Sequence, residues 1–241
     1  GGKSPQIVFA DADFDAALPF LVSAIVQNAG QTCSAGSRVL IERSLYESVL
    51  DRLASVFESI KVGPSMLDLD CGPLINPKQQ QRVWDYLSDA QVAGIPLAAQ
   101  GTVVDEAPDT GFYQAPTLLR DVPAQHRLAQ EEIFGPVLGV VRVKTLQEAM
   151  QLINDHEYGN GTCIFTRDGE AARYFSDHIQ VGMVGVNVGV PVPREPFSFG
   201  GVNASKFGSG DITGHHSLDF WSNVKKVTVK WEPQTDSTWM G

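Results

Sequence analysis

The sequence predicts a three-layer α/β/α domain built on an open, mostly parallel sheet. Short apolar runs rich in valine and isoleucine alternate with amphipathic stretches of about 10 to 17 residues. Strand and helix follow one another in turn, the order that a parallel sheet covered on both faces requires. The composition agrees: among 241 residues, 43% are hydrophobic and 19% charged, enough to bury a substantial core.

Gln6–Ala10 (QIVFA) reads as the first strand, and Asp11–Asp13 supplies the cap for a helix reaching about Gln27, with Phe14, Ala17, Leu18, Leu21 and Ile25 on its apolar stripe. Arg38–Glu42 (RVLIE) is the next strand. The helix Leu45–Ile60 sets Leu45, Val49, Leu53 and Phe57 on one face, and Gly63-Pro64 ends it. A third helix, about Lys78–Ala93, follows a loop rich in Asp and Pro, and Pro96–Gln100 is a strand. Gly101–Gly111 reads as a surface loop between that strand and the apolar segments Phe112–Leu119 and Val137–Val143. A helix at Leu146–Asp155, a strand at Thr162–Thr166, a helix from about Glu170 to His178 and a strand at Met183–Val188 repeat the cycle. After a Gly- and Pro-rich stretch, the alternation in Val224–Trp231 (VKKVTVKW) predicts an exposed strand. An exposed strand edge seeks a partner, so residues 224–241 read as an oligomerisation strand and tail on a domain spanning 1–223, and the chain as a homo-oligomer.

Charge and cysteine usage exclude several roles. Eighteen Lys and Arg against 28 Asp and Glu leave a net charge of −10. No basic cluster offsets it, which argues against nucleic-acid partners and anionic membrane surfaces. No apolar run approaches the ~18 residues that span a bilayer. Cys33, Cys71 and Cys163 form no CxxC pair and no metal-ligand spacing with the histidines. No metal is expected, and free thiols point to a reducing cytoplasm. Gly2-Lys3-Ser4 imitates a phosphate loop but is followed by Pro5 and a strand, not a helix. Gly208-Ser209-Gly210 with Gly214 misplaces the third glycine of a dinucleotide fingerprint.

The informative segment is Gly30–Arg38 (GQTCSAGSR), which sets a cysteine among small residues after a long helix. Small neighbours let a substrate approach. A loop entering a new helix here would aim N–H groups at a thiolate or an oxyanion. The composition alone equally suits a buried structural cysteine.

GQTCSAGSR resembles the cysteine signature of the aldehyde dehydrogenase superfamily. Gly1–Asp15 (GGKSPQIVFADADFD) is similar to the segment that follows the family's catalytic glutamate, and Gln130–Val137 (QEEIFGPV) to its nicotinamide-ribose motif. The three stand in the family's order and spacing, and the resemblance covers essentially the whole chain. It implies the family's catalytic-domain fold and an NAD(P)-dependent enzyme. Cys33 would attack an aldehyde and carry a thioester. Glu132 would accept the hydroxyls of the nicotinamide ribose, and Phe134 would pack near the nicotinamide ring. Asn187 and Phe199 match positions near the substrate funnel, and the cofactor would be NAD or NADP. The family's general base, its oxyanion asparagine and its dinucleotide-binding domain fall outside this sequence. The resemblance therefore implies a domain boundary at Gly1 and weak aldehyde oxidation by this chain alone. Up to about Val143 the chain resembles the hydrolytic, acid-forming enzymes. Tyr158–Gly161, Val186–Val188 and Pro191–Pro193 resemble the methylmalonate-semialdehyde branch, which acylates coenzyme A. Water is the expected acceptor. A coenzyme A acceptor, an acyltransferase without a nicotinamide and a non-catalytic assembly module are the alternatives.

Overall fold

The computed structural model describes residues 1–231. In chain order its elements are β1 (Pro5–Val8), α1 (Phe14–Val26), β2 (Arg38–Glu42), α2 (Tyr46–Ser59), β3 (Lys61–Val62), α3 (Pro77–Val92), β4 (Leu97–Gln100), β5 (Thr102–Val103) and β6 (Thr117–Leu119). There follow α4 (Arg127–Gln130), β7 (Val137–Val143), α5 (Leu146–Asn154), β8 (Tyr158–Gly159), β9 (Gly161–Phe165), α6 (Gly169–His178), β10 (Met183–Val186), β11 (Val202–Asn203) and α7 (His216–Trp221).

Seven strands form one sheet in the order β10-β9-β1-β2-β7-β6-β4. Every neighbouring pair is parallel except β4 with β6. The inner strands are buried at successive positions, so both faces are covered; Val39, Leu40 and Ile41 of β2 are each at most 1% exposed. Helix starts follow the capping chemistry of their sequences. Asp13, Asn76, Thr145 and Asp168 accept backbone N–H groups at the heads of α1, α3, α5 and α6, with Pro77 at the first position of α3. The stripe expected on α2 is present: Val49, Leu53 and Phe57 are buried, with Tyr46 and Leu50 beside them.

Several expectations need correction. The stretch 101–111 holds the short strand β5, which pairs with β3 in a small separate ribbon. Within the apolar segment Phe112–Leu119, the strand is Thr117–Leu119, as its apolar character allows. The segment after Cys33 enters β2, not a helix. Its β-branched and apolar residues fill both faces of the sheet interior, a placement an amphipathic helix start could not satisfy. Val224–Trp231 forms no strand in the single chain, and its residues are exposed throughout. A ladder needs a partner for its N–H and C=O groups, and no described residue supplies one here. The rest of the expected tail, 232–241, lies outside the described residues.

Candidate active site

The site lies at the amino ends of four adjacent central strands. Asn160 immediately precedes β9, Gly2 lies three residues before β1, Cys33 five before β2, and Phe134 three before β7. Because β9, β1, β2 and β7 are neighbours and parallel, these leading segments converge at one edge of the sheet.

Cys33 sits in a turn closed by the Ala35 N–H donating to the Thr32 carbonyl at 3.0 Å. An unusual backbone precedes it. Asn28, Ala29 and Gly30 all adopt left-handed φ values of 54°, 53° and 69°, costly for the two that carry a Cβ. The Asn28 and Gln31 side chains stabilise the bend, exchanging bonds with each other's carbonyls at 2.8 and 3.0 Å. The Ile75 N–H donates to Gln31 Oε1 and ties the loop to the rest of the domain. Gly30 then packs directly on the backbone of Gly135 and Pro136, where a Cβ would lie 2.2 Å from the Gly135 oxygen. The cysteine loop and the loop carrying Glu132 and Phe134 are thereby held in contact.

Gly2 completes the junction. Its N–H donates to Glu132 Oε1 at 2.9 Å, and a Cβ on it would lie 2.3 Å from the Cys33 carbonyl oxygen. Asn160 Nδ2 donates to that same carbonyl at 2.8 Å. The backbone of Cys33 is thus gripped from two sides, and the residue is only partly buried.

Helix α3 supports the second loop. Gln79 Nε2 donates to the carbonyls of Ile133 and Phe134 at 3.0 and 2.8 Å. Arg82 donates to the carbonyls of Ile133 and Glu132, fixing Phe134 at a φ of 61°. The two neighbouring glutamates are separated by their surroundings. Glu131 accepts from the Tyr86 hydroxyl at 2.6 Å and pairs with Arg127; the Tyr86 bond, then Arg127, holds its carboxyl below the usual range. Glu132 Oε2 has no hydrogen-bond partner among the described residues, so this carboxylate can accept a further donor, as binding a sugar diol requires.

Behind Gly2 lies a buried polar cluster. Lys3 Nζ and His156 Nε2 have no hydrogen-bond partner among the described residues, and Arg38 donates to the carbonyls of Lys3 and Ala129. Burial, reinforced by Arg38, lowers Lys3 to about 7 and His156 to about 4. Burial raises the other two thiols, Cys71 to about 11 and Cys163 to about 12.

Two sequence candidates stand apart from this junction. Asn187 exchanges bonds with the backbone of Thr166, Oδ1 accepting at 3.0 Å and Nδ2 donating at 2.9 Å. It closes the end of β9, which leaves its amide committed to backbone. Phe199 is half buried in a separate cavity of about 280 Å³ with Phe207, Ile212 and Phe220. Sequence reasoning missed Asn160, Gln79 and Arg82. Asn160 lies in the quoted Tyr158–Gly161 run, but nothing in that run signals a bond to a residue 127 positions away.

The chain belongs to the aldehyde dehydrogenase family, whose model matches residues 1–227. A malonate-semialdehyde dehydrogenase of Pseudomonas aeruginosa is 42% identical over 98% of this chain and 48% of its own length. Among solved structures, an aldehyde dehydrogenase from Burkholderia cenocepacia is 61% identical with a TM-score of 0.83, covering 86% of this chain and 44% of that one. A methylmalonate-semialdehyde dehydrogenase from Sinorhizobium meliloti, solved with NAD, is 36% identical with a TM-score of 0.93, covering 98% and 48%. The chain spans about half the length of the relatives it matches. Among the described residues, no helix is long and apolar enough to cross a membrane.

Proposed function

We propose that this chain is the cysteine-bearing half of an NAD(P)-dependent aldehyde dehydrogenase, with Cys33 as nucleophile and a carboxylic acid as product. The observation that carries the reading is the Gly2 junction, where one residue touches both the Cys33 backbone and the Glu132 carboxylate. Cys33 sulfur adds to the aldehyde carbon. After oxidation the acyl group remains on Cys33 as a thioester, and water releases it. Gly2 and Asn160 hold the nucleophile's backbone still through these steps. Glu132 fits a ribose, because Oε2 is free to accept a hydroxyl, and Phe134 lies two residues on, in a loop pinned by Gln79 and Arg82. NAD or NADP held by Glu132 and Phe134 would supply the hydride acceptor for this oxidation. The relative solved with NAD supports this cofactor class. The semialdehyde names of the relatives support a short aliphatic aldehyde. They also keep coenzyme A in view as acceptor, and its acceleration of acyl loss from Cys33 would move the reading to that branch. The three free thiols support a cytoplasmic location.

Iodoacetamide labelling across pH, read by peptide mass spectrometry with Cys33→Ser as control, tests the assignment. At pH 8 only about one in a thousand Cys71 thiols is ionised, and fewer at Cys163. Cys33 is expected to label at least about a hundredfold faster than either. Labelling at the slow rate of the buried pair would remove Cys33 as nucleophile.

Oligomerisation through the tail is part of the same proposal. It is supported by the exposed alternating residues Val227, Val229 and Trp231. Deleting everything after Asn223 is expected to shift the chain toward monomer. An unchanged mass by light scattering would reject that role.

A further inference from the structure

Cys33 lies in a turn, so no helix or strand ladder fixes its carbonyl. Among the described residues that carbonyl receives one hydrogen bond, from Asn160 Nδ2 at 2.8 Å. Asn160 itself stands on a tied backbone. Its carbonyl accepts from the Met183 N–H at 3.0 Å, and the preceding carbonyl, of Gly159, accepts from the Gly182 N–H at 2.9 Å. The Gly159 N–H in turn donates to Ser205 Oγ at 3.1 Å. Gly2 closes the other side, where a Cβ would lie 3.2 Å from both Cβ and Nδ2 of Asn160. Asn160 is 5% exposed, so water competes little for its amide.

Fixing this carbonyl fixes more than one peptide. The Ala35 N–H already holds the chain across Cys33 by donating to the Thr32 carbonyl. With the Cys33 carbonyl held as well, χ1 is the torsion left to place the sulfur. Without the amide donor, a carbonyl packed against Gly2 would lack a partner, and the peptide would turn to find one. The sulfur would move with it. Asn160 carries no charge and donates to the carbonyl rather than to the sulfur, so it places the thiol without setting a charge beside it.

We propose that Asn160 is a positioning residue for the nucleophile, governing acyl transfer through Cys33 and not the ionisation of its thiol. The inference rests on Cys33 being the nucleophile. Acyl transfer passes through a tetrahedral adduct whose oxyanion must meet fixed donors, so its rate depends on where the sulfur stands. Alkylation by iodoacetamide needs only access and a thiolate. The ratio of the two rates therefore reads position.

The test uses 4-nitrophenyl acetate and needs no oxidant. The Cys33 sulfur adds to the ester carbon and an S–C bond forms; the C–O bond to the phenol breaks, nitrophenol leaves with the thiol proton, and acetyl remains on Cys33 as a thioester. First-turnover release of nitrophenol is measured beside iodoacetamide alkylation at the same pH, with the acetyl group located on the Cys33 peptide by mass spectrometry. Asn160→Leu removes the donor at similar volume. Asn160→Asp keeps the shape but, when ionised, cannot donate, and it decides the matter if the leucine variant does not fold. Thr162→Val is the control: Thr162 Oγ1 donates to the Pro5 carbonyl at 2.9 Å, a buried bond of the same kind that does not reach Cys33. The expected result is a fall of about tenfold to a hundredfold in the acetylation-to-alkylation ratio for both Asn160 variants. The Thr162 variant is expected to keep the parent ratio, and the alkylation pH profile of Asn160→Leu to overlie the parent's. A parent ratio retained in either Asn160 variant, an equal fall in the Thr162 variant, or a displaced pH profile in Asn160→Leu would each overturn the inference while leaving Cys33 as nucleophile. No acetyl on Cys33 in the parent chain would overturn the nucleophile assignment and the inference with it.

Discussion

Gly30→Ala is expected to destabilise the domain by about 2–4 kcal/mol and to part the two loops of the site. Two effects add. A side chain at a φ of 69° costs about 1 kcal/mol or more in the left-handed region. The new Cβ would also stand 2.2 Å from the Gly135 oxygen and 2.9 Å from the Pro136 nitrogen. Both are backbone atoms that no rotamer change can move aside, so the loops must separate, at about 1–3 kcal/mol. Gly94 supplies the control within the same chain. It has the same φ of 69°, yet a Cβ there meets nothing within 4 Å, so Gly94→Ala bears the conformational cost alone. Thermal melts of the two variants separate the terms. At roughly 2–4 °C per kcal/mol for a domain of this size, the Gly30 variant is expected to melt several degrees below the Gly94 variant. Equal losses would mean that the Gly30–Gly135 contact does not hold the loops together.

Lys3→Met is expected to raise stability at pH 7 by a few kcal/mol and to flatten its pH dependence above that point. Burial, then Arg38, lowers Lys3 from 10.5 to about 7, against the opposing pull of Glu132 and Glu131. In the unfolded chain the amine takes its proton at about 10.5; in the folded chain it waits until about 7. The penalty is therefore absent above pH 10.5, grows as pH falls toward 7, and is constant below. Stability of the parent chain should accordingly climb from pH 7 to 10 relative to the variant, whose apolar side chain occupies the same buried stem without a charge. Chemical denaturation of both proteins at four or five pH values reads the difference. Parallel curves would show that Lys3 does not carry this burden. His156 acts on the acid side with the same sign: lowered from 6.5 to about 4 by burial, it withdraws stability as pH falls through that window.

Local patterns in the sequence were sufficient for the elements whose physics is local. The cap at Asp13, the spacing-four stripe on α2 and the apolar run of β7 each depend on residues a few positions apart. They could be read without knowing the fold. Local pattern is not sufficient where a partner decides the outcome. Val224–Trp231 alternates like a strand, yet a strand exists only when another chain segment takes its hydrogen bonds, and the single chain offers none among its described residues.

The candidates for nucleophile and ribose-binding carboxylate, Cys33 and Glu132, came from GQTCSAGSR and QEEIFGPV, because motif resemblance preserves residue type and order. What Glu131 and Glu132 do differently was not legible. Tyr86 and Arg127 occupy the first and Gly2 the second; Arg127 is only four residues from Glu131, but Tyr86 and Gly2 are brought near by α3 and the sheet. The same holds for Asn187, whose amide is taken by Thr166, and for Asn160, whose amide reaches the Cys33 carbonyl. Sequence alone determined which chemical groups this protein possesses and the class of fold that carries them. Tertiary structure alone decided which of those groups meet. Parallel pairing of β9, β1, β2 and β7 brings their leading segments to one edge, and contacts spanning more than a hundred residues follow from that register and from no pattern along the chain.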